Sequence, residues 1–307
     1  MKPITIIGNG ALGLLCASFF AAKNTKVQII TKRESAATEI NKDGIFITNL
    51  SEEIINYRDN IYATTDYNKL KPSDTVLLLT KAYSTQEAIK KNLNFLKKTK
   101  TILTLQNGLG NIEILKSYLT DNNIIAGTTS MGATAIASNK TKYCGKGVVD
   151  IAHVNNYKDG KGILKELSEI FIKCGIRCNI HNNWETVIWS KLYVNAIINP
   201  ITALYKITNG EIVKKTKLTK LAKQSSDEIL NILRTKKIDI QLKDPFDRIL
   251  KICEITSKNH SSMLQDVLNN KQTEIEQITG EIIRIAKKKG IETPINSMLY
   301  EKLKMVR

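Results

Sequence analysis

The hexapeptide Gly8-Asn9-Gly10-Ala11-Leu12-Gly13 is where residue type and spacing first point to chemistry. It reads G-x-G-x-x-G, directly after the β-branched run Ile4 to Ile7 and at the opening of a helical stretch from Ala11 to Ala22. In that setting the first glycine allows a tight turn, the second lets a pyrophosphate approach the backbone, and the third lets helix and strand pack closely. The phosphates would rest on the free N–H groups and positive dipole end of the helix. A plain glycine-rich strand-to-helix turn has the same letters and needs no ligand. About twenty residues after such a turn, NAD enzymes place an acidic residue on the ribose 2′-OH. Thr31-Lys32-Arg33 stands there instead, two cations and no carboxylate, which suits a 2′-phosphate and predicts NADPH/NADP+ as cofactor. The same pair also fits ordinary surface charge at a strand end.

Lys81, after Val76 to Thr80, and Gln106-Asn107-Gly108, after Thr101 to Leu105, follow two further strand-like runs. The carboxyl ends of strands are where open α/β sheets bind ligands. Asn107 can donate and accept hydrogen bonds at once, so it suits a position between a nicotinamide ribose and a substrate. A turn-forming Asn-Gly is the alternative. In the second half, Lys191, Asn195 and Asn199 are four residues apart on an otherwise apolar helical pattern. They form one polar stripe spanning roughly 12 Å. Buried polar groups without partners are costly, so the stripe should face a polar cleft. An exposed stripe, or Asn side chains capping neighbouring elements, is the other reading. Pro200 lacks an N–H and tends to bend a helix, freeing a carbonyl near Ala196. Ser261-Ser262-Met263-Leu264-Gln265-Asp266 and Thr273-Glu274-Ile275-Glu276 complete the set, although Thr273 with Glu276 also fits a helix capping box.

The elements that must position these residues fall into two kinds. Up to about residue 182, β-branched runs alternate with helical stretches, as in βαβ units feeding a parallel sheet. Val148 to Val154 and Arg177 to Ile180 read as late strands, with a helix over Gly162 to Lys173 between them. From residue 183 the strand signal fades into long amphipathic patterns, such as Leu218 to Lys236 and Glu274 to Lys289. The expectation is a Rossmann-type α/β domain over 1–182 and an all-α domain over 183–307, close together with a cleft between them.

Composition narrows the classes. Hydrophobic residues at 42% and charged residues at 24% match a globular chain able to bury a core. No apolar run is long enough to cross a bilayer. Lys2 leads straight into a strand-like run without the apolar region of a secretory signal, so a cytoplasmic location is expected. The five cysteines form no Cys-x-x-Cys pair and the three histidines are scattered, so free, mostly buried thiols and no metal are expected. The net charge of +17 suits an anionic small molecule or nucleic acid. Its lysines are spread over helix ends and exposed faces with little aromatic interleaving, which disfavours nucleic acid.

Taken together, these motifs resemble the 2-dehydropantoate 2-reductase (ketopantoate reductase) family over essentially the whole length. The likeness rests on Gly8 to Gly13, Lys81, Gln106 to Gly110, Gly127-Thr128-Thr129, Lys191 to Leu204, Asn209-Gly210-Glu211, Ser262 to Asp266 and Thr273-Glu274. It implies a 6-phosphogluconate dehydrogenase-like arrangement with catalysis in the cleft, and reduction of a small 2-keto acid with NADPH in pantothenate and coenzyme A synthesis. It makes Lys191 the proton donor and Asn107, Asn195, Asn199, Asn209 and Ser262 the substrate contacts. Gly8 to Gly13, Lys32, Arg33, Lys81, Asn107, Ala133 and Glu274 would hold the cofactor. Two residues depart from the pattern. Lys32 stands where Arg is more usual, a point charge without a planar fork, and Met131 stands where many relatives have a polar residue. A monomer or homodimer without nucleic-acid or membrane partners is expected. The alternatives are a sibling reductase of another 2-keto acid and a non-catalytic NADPH-binding sensor, the latter having no need of a proton donor.

Overall fold

A computed structural model describes residues 2–154 and 160–305. Its internal contacts separate two units: one runs to Gln106 and resumes over Asn111–Val187, the other comprises Asn107–Gly110 with Ile188–Arg307. The division differs from a break after residue 182 in two places. The first residues of a continuous helix, Trp184–Tyr205, go with the first unit, and the loop 107–110 goes with the second because its backbone is bonded there.

In the first unit, β1 (Ile4–Ile7), α1 (Ala11–Ala21), β2 (Val27–Ile30) and α2 (Glu34–Asp43) lead to β3 (Ile45–Thr48), β4 (Ile54–Tyr57) and β5 (Ile61–Thr64). Next come β6 (Thr75–Leu78), α3 (Thr85–Lys91), α4 (Leu93–Lys97), β7 (Thr101–Thr104), α5 (Asn111–Tyr118) and β8 (Asn123–Thr129). The unit ends with β9 (Gly132–Ala137), β10 (Lys140–Gly145), β11 (Val148–His153), α6 (Gly160–Lys173) and β12 (Arg177–His181). Eight strands make one sheet in the order β12-β11-β8-β7-β6-β1-β2-β5. It is parallel from β5 to β8, and β11 joins β8 antiparallel. Every residue of β1 is buried, as expected of a central strand covered on both faces. Ile6, Leu14, Leu15, Phe20, Ile29, Leu77, Leu103 and Phe171 build the core there.

The sequence pattern did not announce a second sheet, β4-β3-β10-β9. Its strands are short; β4 is largely exposed, and β9 is alanine-rich, so neither shows an alternating apolar pattern.

Among its described residues the second unit is helical: α7 (Trp184–Tyr205), α8 (Glu211–Lys214), α9 (Thr216–Lys236), α10 (Pro245–Ile255), α11 (Ser262–Leu268), α12 (Glu281–Lys288) and α13 (Pro294–Lys304). α9 buries Leu218, Ala222, Ser225, Ile229, Ile232 and Leu233, one face at helical spacing, and stops where Lys237 turns left-handed at φ +56°. α10 is capped by Asp244, whose carboxylate accepts from the Asp247 N–H at 3.1 Å, with Pro245 in its first turn. The helix expected over 274–289 is instead a π-turn at Glu276–Gly280 followed by α12. No capping box forms; the Glu276 carboxylate binds the Tyr300 hydroxyl. Pro200 does not end α7, which continues to Tyr205. All five cysteines are free, but only Cys16 and Cys253 are fully buried and Cys144 is exposed, which corrects the expectation of mostly buried thiols.

Candidate active site

In the first unit, the glycines of the 8–13 turn have three different physical duties. Gly8 has φ +115°, and a Cβ there would lie 3.0 Å from the Leu79 and Thr80 backbone. A Cβ on Gly13 would lie 2.0 Å from the Gly8 carbonyl oxygen, so helix and turn can be this close only with glycine. Nothing lies within 4 Å of a Cβ on Gly10, which leaves the approach to the helix end open. Gly10 is the N-cap of α1 without a side-chain cap, and no acidic residue sits in the first turn, where Ala11 and Leu12 are half-buried. These features suit a pyrophosphate on the helix end. Asn9 is held from one side, its Nδ2 donating to the Ser138 carbonyl at 3.0 Å.

Register places Lys32, Arg33 and Lys81 on the same sheet edge as the glycine turn. Ile7 pairs with Ile30 on one side and Leu78 on the other, and Leu78 pairs with Thr104. Gly8, Lys32, Arg33 and Lys81 therefore all follow the carboxyl ends of adjacent strands. Lys32 and Arg33 are exposed, Lys32 Nζ lies 3.4 Å from Glu87 Oε2, and the Thr31 hydroxyl fixes the turn by donating to the Arg33 carbonyl. Ala133 is half-buried in β9, in register with Tyr143. Gln106 emerges as the residue that stitches this edge. Its amide nitrogen donates to the Thr80 carbonyl and the Thr85 hydroxyl, both at 2.8 Å, while its oxygen accepts from Thr104 at 2.9 Å. The sequence marks Gln106 only as the neighbour of Asn107.

In the second unit, Lys191, Asn195 and Asn199 lie on one face of α7, with Lys191 half-buried and both asparagines buried. Asn195 Nδ2 donates to Asn107 Oδ1 at 3.2 Å, and Asn107 Nδ2 donates to Glu274 Oε2 at 3.4 Å. The structure thus brings together Asn107, Asn195 and Glu274, residues far apart in the chain. Asn199 Nδ2 is buried without a partner, and so is Asn209 Oδ1. The rest of Asn209 is fixed, its N–H donating to the Asn259 carbonyl at 3.0 Å and its Nδ2 to the Thr256 hydroxyl at 2.9 Å. A buried, unsatisfied polar group costs about 1–3 kcal/mol. Two of them on candidate residues fit a ligand that supplies both an acceptor and a donor.

Ser262 is exposed on the first turn of α11, and its neighbour Ser261 does the structural work. Ser261 Oγ accepts from the Leu264 N–H at 3.2 Å and from the Thr202 hydroxyl at 2.7 Å, tying α11 to α7. The serine pair is visible in the sequence, but which of the two is the cap is not. Among the described residues no group of three or more His, Cys, Asp or Glu could hold a metal ion.

A glycine turn at the carboxyl edge of a parallel sheet, with a helical unit carrying a Lys-Asn-Asn face, defines a Rossmann-type oxidoreductase. This chain belongs to the ketopantoate reductase family. The family model "Ketopantoate reductase PanE/ApbA" matches residues 4–156, and the corresponding C-terminal model matches residues 183–307. The 2-dehydropantoate 2-reductase of Pyrococcus abyssi is 32% identical over 302 residues, 98% of this chain and 96% of that protein. The crystal structure of a probable 2-dehydropantoate 2-reductase from Bacillus subtilis is 27% identical with a TM-score of 0.81, covering 99% of this chain and all of that one. A ternary structure of D-mandelate dehydrogenase with NADH and anilino(oxo)acetate has the same fold, with a TM-score of 0.90 at 23% identity over 98% and 96% of the two chains.

Proposed function

We propose that this chain reduces 2-dehydropantoate to pantoate with NADPH, a step of pantothenate and coenzyme A synthesis. The observation that carries the reading is the buried, unpartnered Asn199 amide on the helix face that also bears Lys191 and the Asn195–Asn107 pair. It is supported by family membership and by relatives whose names state this activity. The glycine turn would hold the cofactor's pyrophosphate, with Lys32 and Arg33 at its 2′-phosphate and Lys81, Ala133, Asn107 and Glu274 along its remaining length. When bound, that cofactor supplies a hydride to the keto carbon.

The side chains do the rest. The Lys191 ammonium protonates the keto oxygen as negative charge grows on it, which is worth roughly 10²–10⁴-fold as general acid catalysis. The same positive charge stabilises the developing oxyanion. Asn195, Asn199, Asn209 and Ser262 hydrogen-bond the substrate, with the Asn199 donor and the Asn209 acceptor satisfied by it. No described helix is long and apolar enough to cross a membrane. A cytoplasmic enzyme acting on a small acid, as monomer or homodimer, completes the proposal.

The test is NADPH oxidation across a panel of 2-keto acids. Ketopantoate should exceed 2-ketoisovalerate in kcat/KM by at least about a hundredfold, because polar groups built for a substrate hydroxyl are left unpaired by an analogue lacking it. Equal efficiencies would favour a sibling reductase, and no turnover with any acid would favour a non-catalytic cofactor-binding role.

A further inference from the structure

Residues 276–280 form a π-turn where the apolar spacing of Ile275, Ile278 and Ile282 reads as ordinary α-helix. Such turns are rare and occur mostly as single-turn bulges inside α-helices. Arg284, half exposed, bonds across this one. Its Nη2 donates to the Glu276 carbonyl at 3.3 Å and to Glu281 Oε1 at 2.7 Å, and its Nη1 lies 3.5 Å from Glu276 Oε2. From α13 the Tyr300 hydroxyl donates to Glu276 Oε1 at 2.5 Å.

The next residue of the turn carries the loop 107–110. The Gln277 carbonyl accepts from the Leu109 N–H at 2.8 Å. Gly108 has φ +83°, and a Cβ on it would lie 2.5 Å from that same carbonyl oxygen. The loop backbone therefore rests directly on the π-turn, which only glycine permits. Asn107 immediately precedes the contact on one side, and Glu274 lies three residues before it on the other. The docking thus fixes the separation across which Asn107 bonds Glu274, and with it the place where Asn107 meets Asn195.

We propose that the π-turn at 276–280 is the positioning device of this site, with Gly108, Gln277 and Arg284 as positioning residues that act through Asn107. The inference rests on the proposed reductase reading, in which Asn107 touches substrate and cofactor. An α-helical turn in its place would rotate the Gln277 carbonyl away from the Leu109 N–H and leave Asn107 to drift.

The experiment combines Gly108→Ala, Arg284→Ala, the double variant and Gly110→Ala. Gly110 shares the left-handed backbone at φ +88°, but a Cβ there meets nothing closer than Glu281 Oε1 at 3.7 Å, so it tests strain without the contact. Gly108→Ala should lower kcat about a hundredfold, the scale of a small misplacement at a reacting centre. Arg284→Ala should lower it about tenfold, and the double variant should fall little further than Gly108→Ala, since coupled residues are not additive. Losses that multiply, or a Gly110→Ala as damaged as Gly108→Ala, overturn the proposal.

Amide exchange of the full chain gives a readout independent of turnover. The Leu109 amide should be protected in the wild type and exposed in Gly108→Ala and Arg284→Ala, while α9 stays protected in all three. Persisting Leu109 protection in folded Arg284→Ala overturns the idea as well. If the wild type reduces no 2-keto acid, the reductase reading fails, and the exchange experiment still decides the positioning role.

Discussion

Asn107 and Glu274, 167 residues apart in sequence, are joined in a hydrogen bond whose direction is set by charge. An ionised carboxylate only accepts, so Asn107 must turn its NH2 toward Glu274 and its oxygen toward the Asn195 amide. The pair therefore polarises a three-residue chain running from α7 through the 107–110 loop to the segment before the π-turn. Replacing Asn107 by Asp removes the donor and sets two carboxylates within hydrogen-bond distance. The Asn107→Asp variant should therefore lose about tenfold or more in kcat/KM, the scale of a lost hydrogen bond to a charged group. A kcat/KM close to wild type in Asn107→Asp would show that Asn107 and Glu274 do not face each other in the working enzyme.

Lys191 is proposed to act on the chemical step rather than on cofactor binding. Lys191→Ala should therefore reduce kcat by roughly 10²–10⁴-fold, while NADPH fluorescence titration still reports binding close to wild type. Near wild-type turnover would remove Lys191 from the mechanism.

At the carboxyl end of β2, Lys32 and Arg33 present two exposed cations, one of them shared with Glu87 at 3.4 Å. Exposed pairs of this kind are weak, so the Glu87 contact should not prevent Lys32 from meeting a 2′-phosphate. The Lys32→Ala/Arg33→Ala double variant should raise the KM for NADPH far more than that for NADH. Equal use of both cofactors by the wild type would refute the assignment.

The glycine turn and the strands β1, β2, β6 and β7 were legible because buried parallel strands are written as local β-branched runs. The Lys191-Asn195-Asn199 face was legible because four-residue spacing maps directly onto a helix. What escaped reading depends on long-range contacts. β9 pairs with β10, and β10 with β3, although their alanines and lysines carry no apolar alternation, and the π-turn hides behind normal helical spacing of isoleucines. Gln106 and Ser261 looked like motif neighbours, and only the partners Thr80, Thr85 and Thr202 show that they hold the motif in place. The place of 107–110 in the second unit was equally invisible, since its partners Asn195, Glu274 and Gln277 lie far away in sequence.

The thiols offer a check on packing in solution. Burial pushes Cys16 and Cys253 up to about 12, and Cys178 up to about 11. A raised thiol pKa means less thiolate at any given pH, and the thiolate is the reactive species. Alkylation of the native protein near neutral pH should therefore label exposed Cys144 first and spare Cys16 and Cys253, with all five reacting in denaturant. Mass spectrometry reading Cys16 or Cys253 as fast as Cys144 would contradict the packing of α1 or α10.

The last prediction concerns how the site tells one keto acid from another. Ketopantoate carries a terminal hydroxyl that 2-ketoisovalerate lacks, and the second unit offers a buried donor on Asn199, a buried acceptor on Asn209 and an exposed hydroxyl on Ser262. An apolar wall distinguishes a missing methyl group by only about 1–3 kcal/mol, whereas a polar site left unpaired can reject an analogue by up to about 10⁴–10⁵-fold. If the Asn199 amide is satisfied only by the substrate, Asn199→Ala removes the penalty that the poorer substrate suffers and the bond that the better one makes. The ratio of kcat/KM between the two acids should then shrink by about tenfold or more, chiefly through loss with ketopantoate. Ser262→Ala should act in the same direction but less strongly, because water can serve an exposed hydroxyl in either complex. An unchanged ratio in Asn199→Ala, with both acids slowed equally, would mean that Asn199 holds a group common to both, such as the carboxylate, and that selectivity for the hydroxyl resides elsewhere.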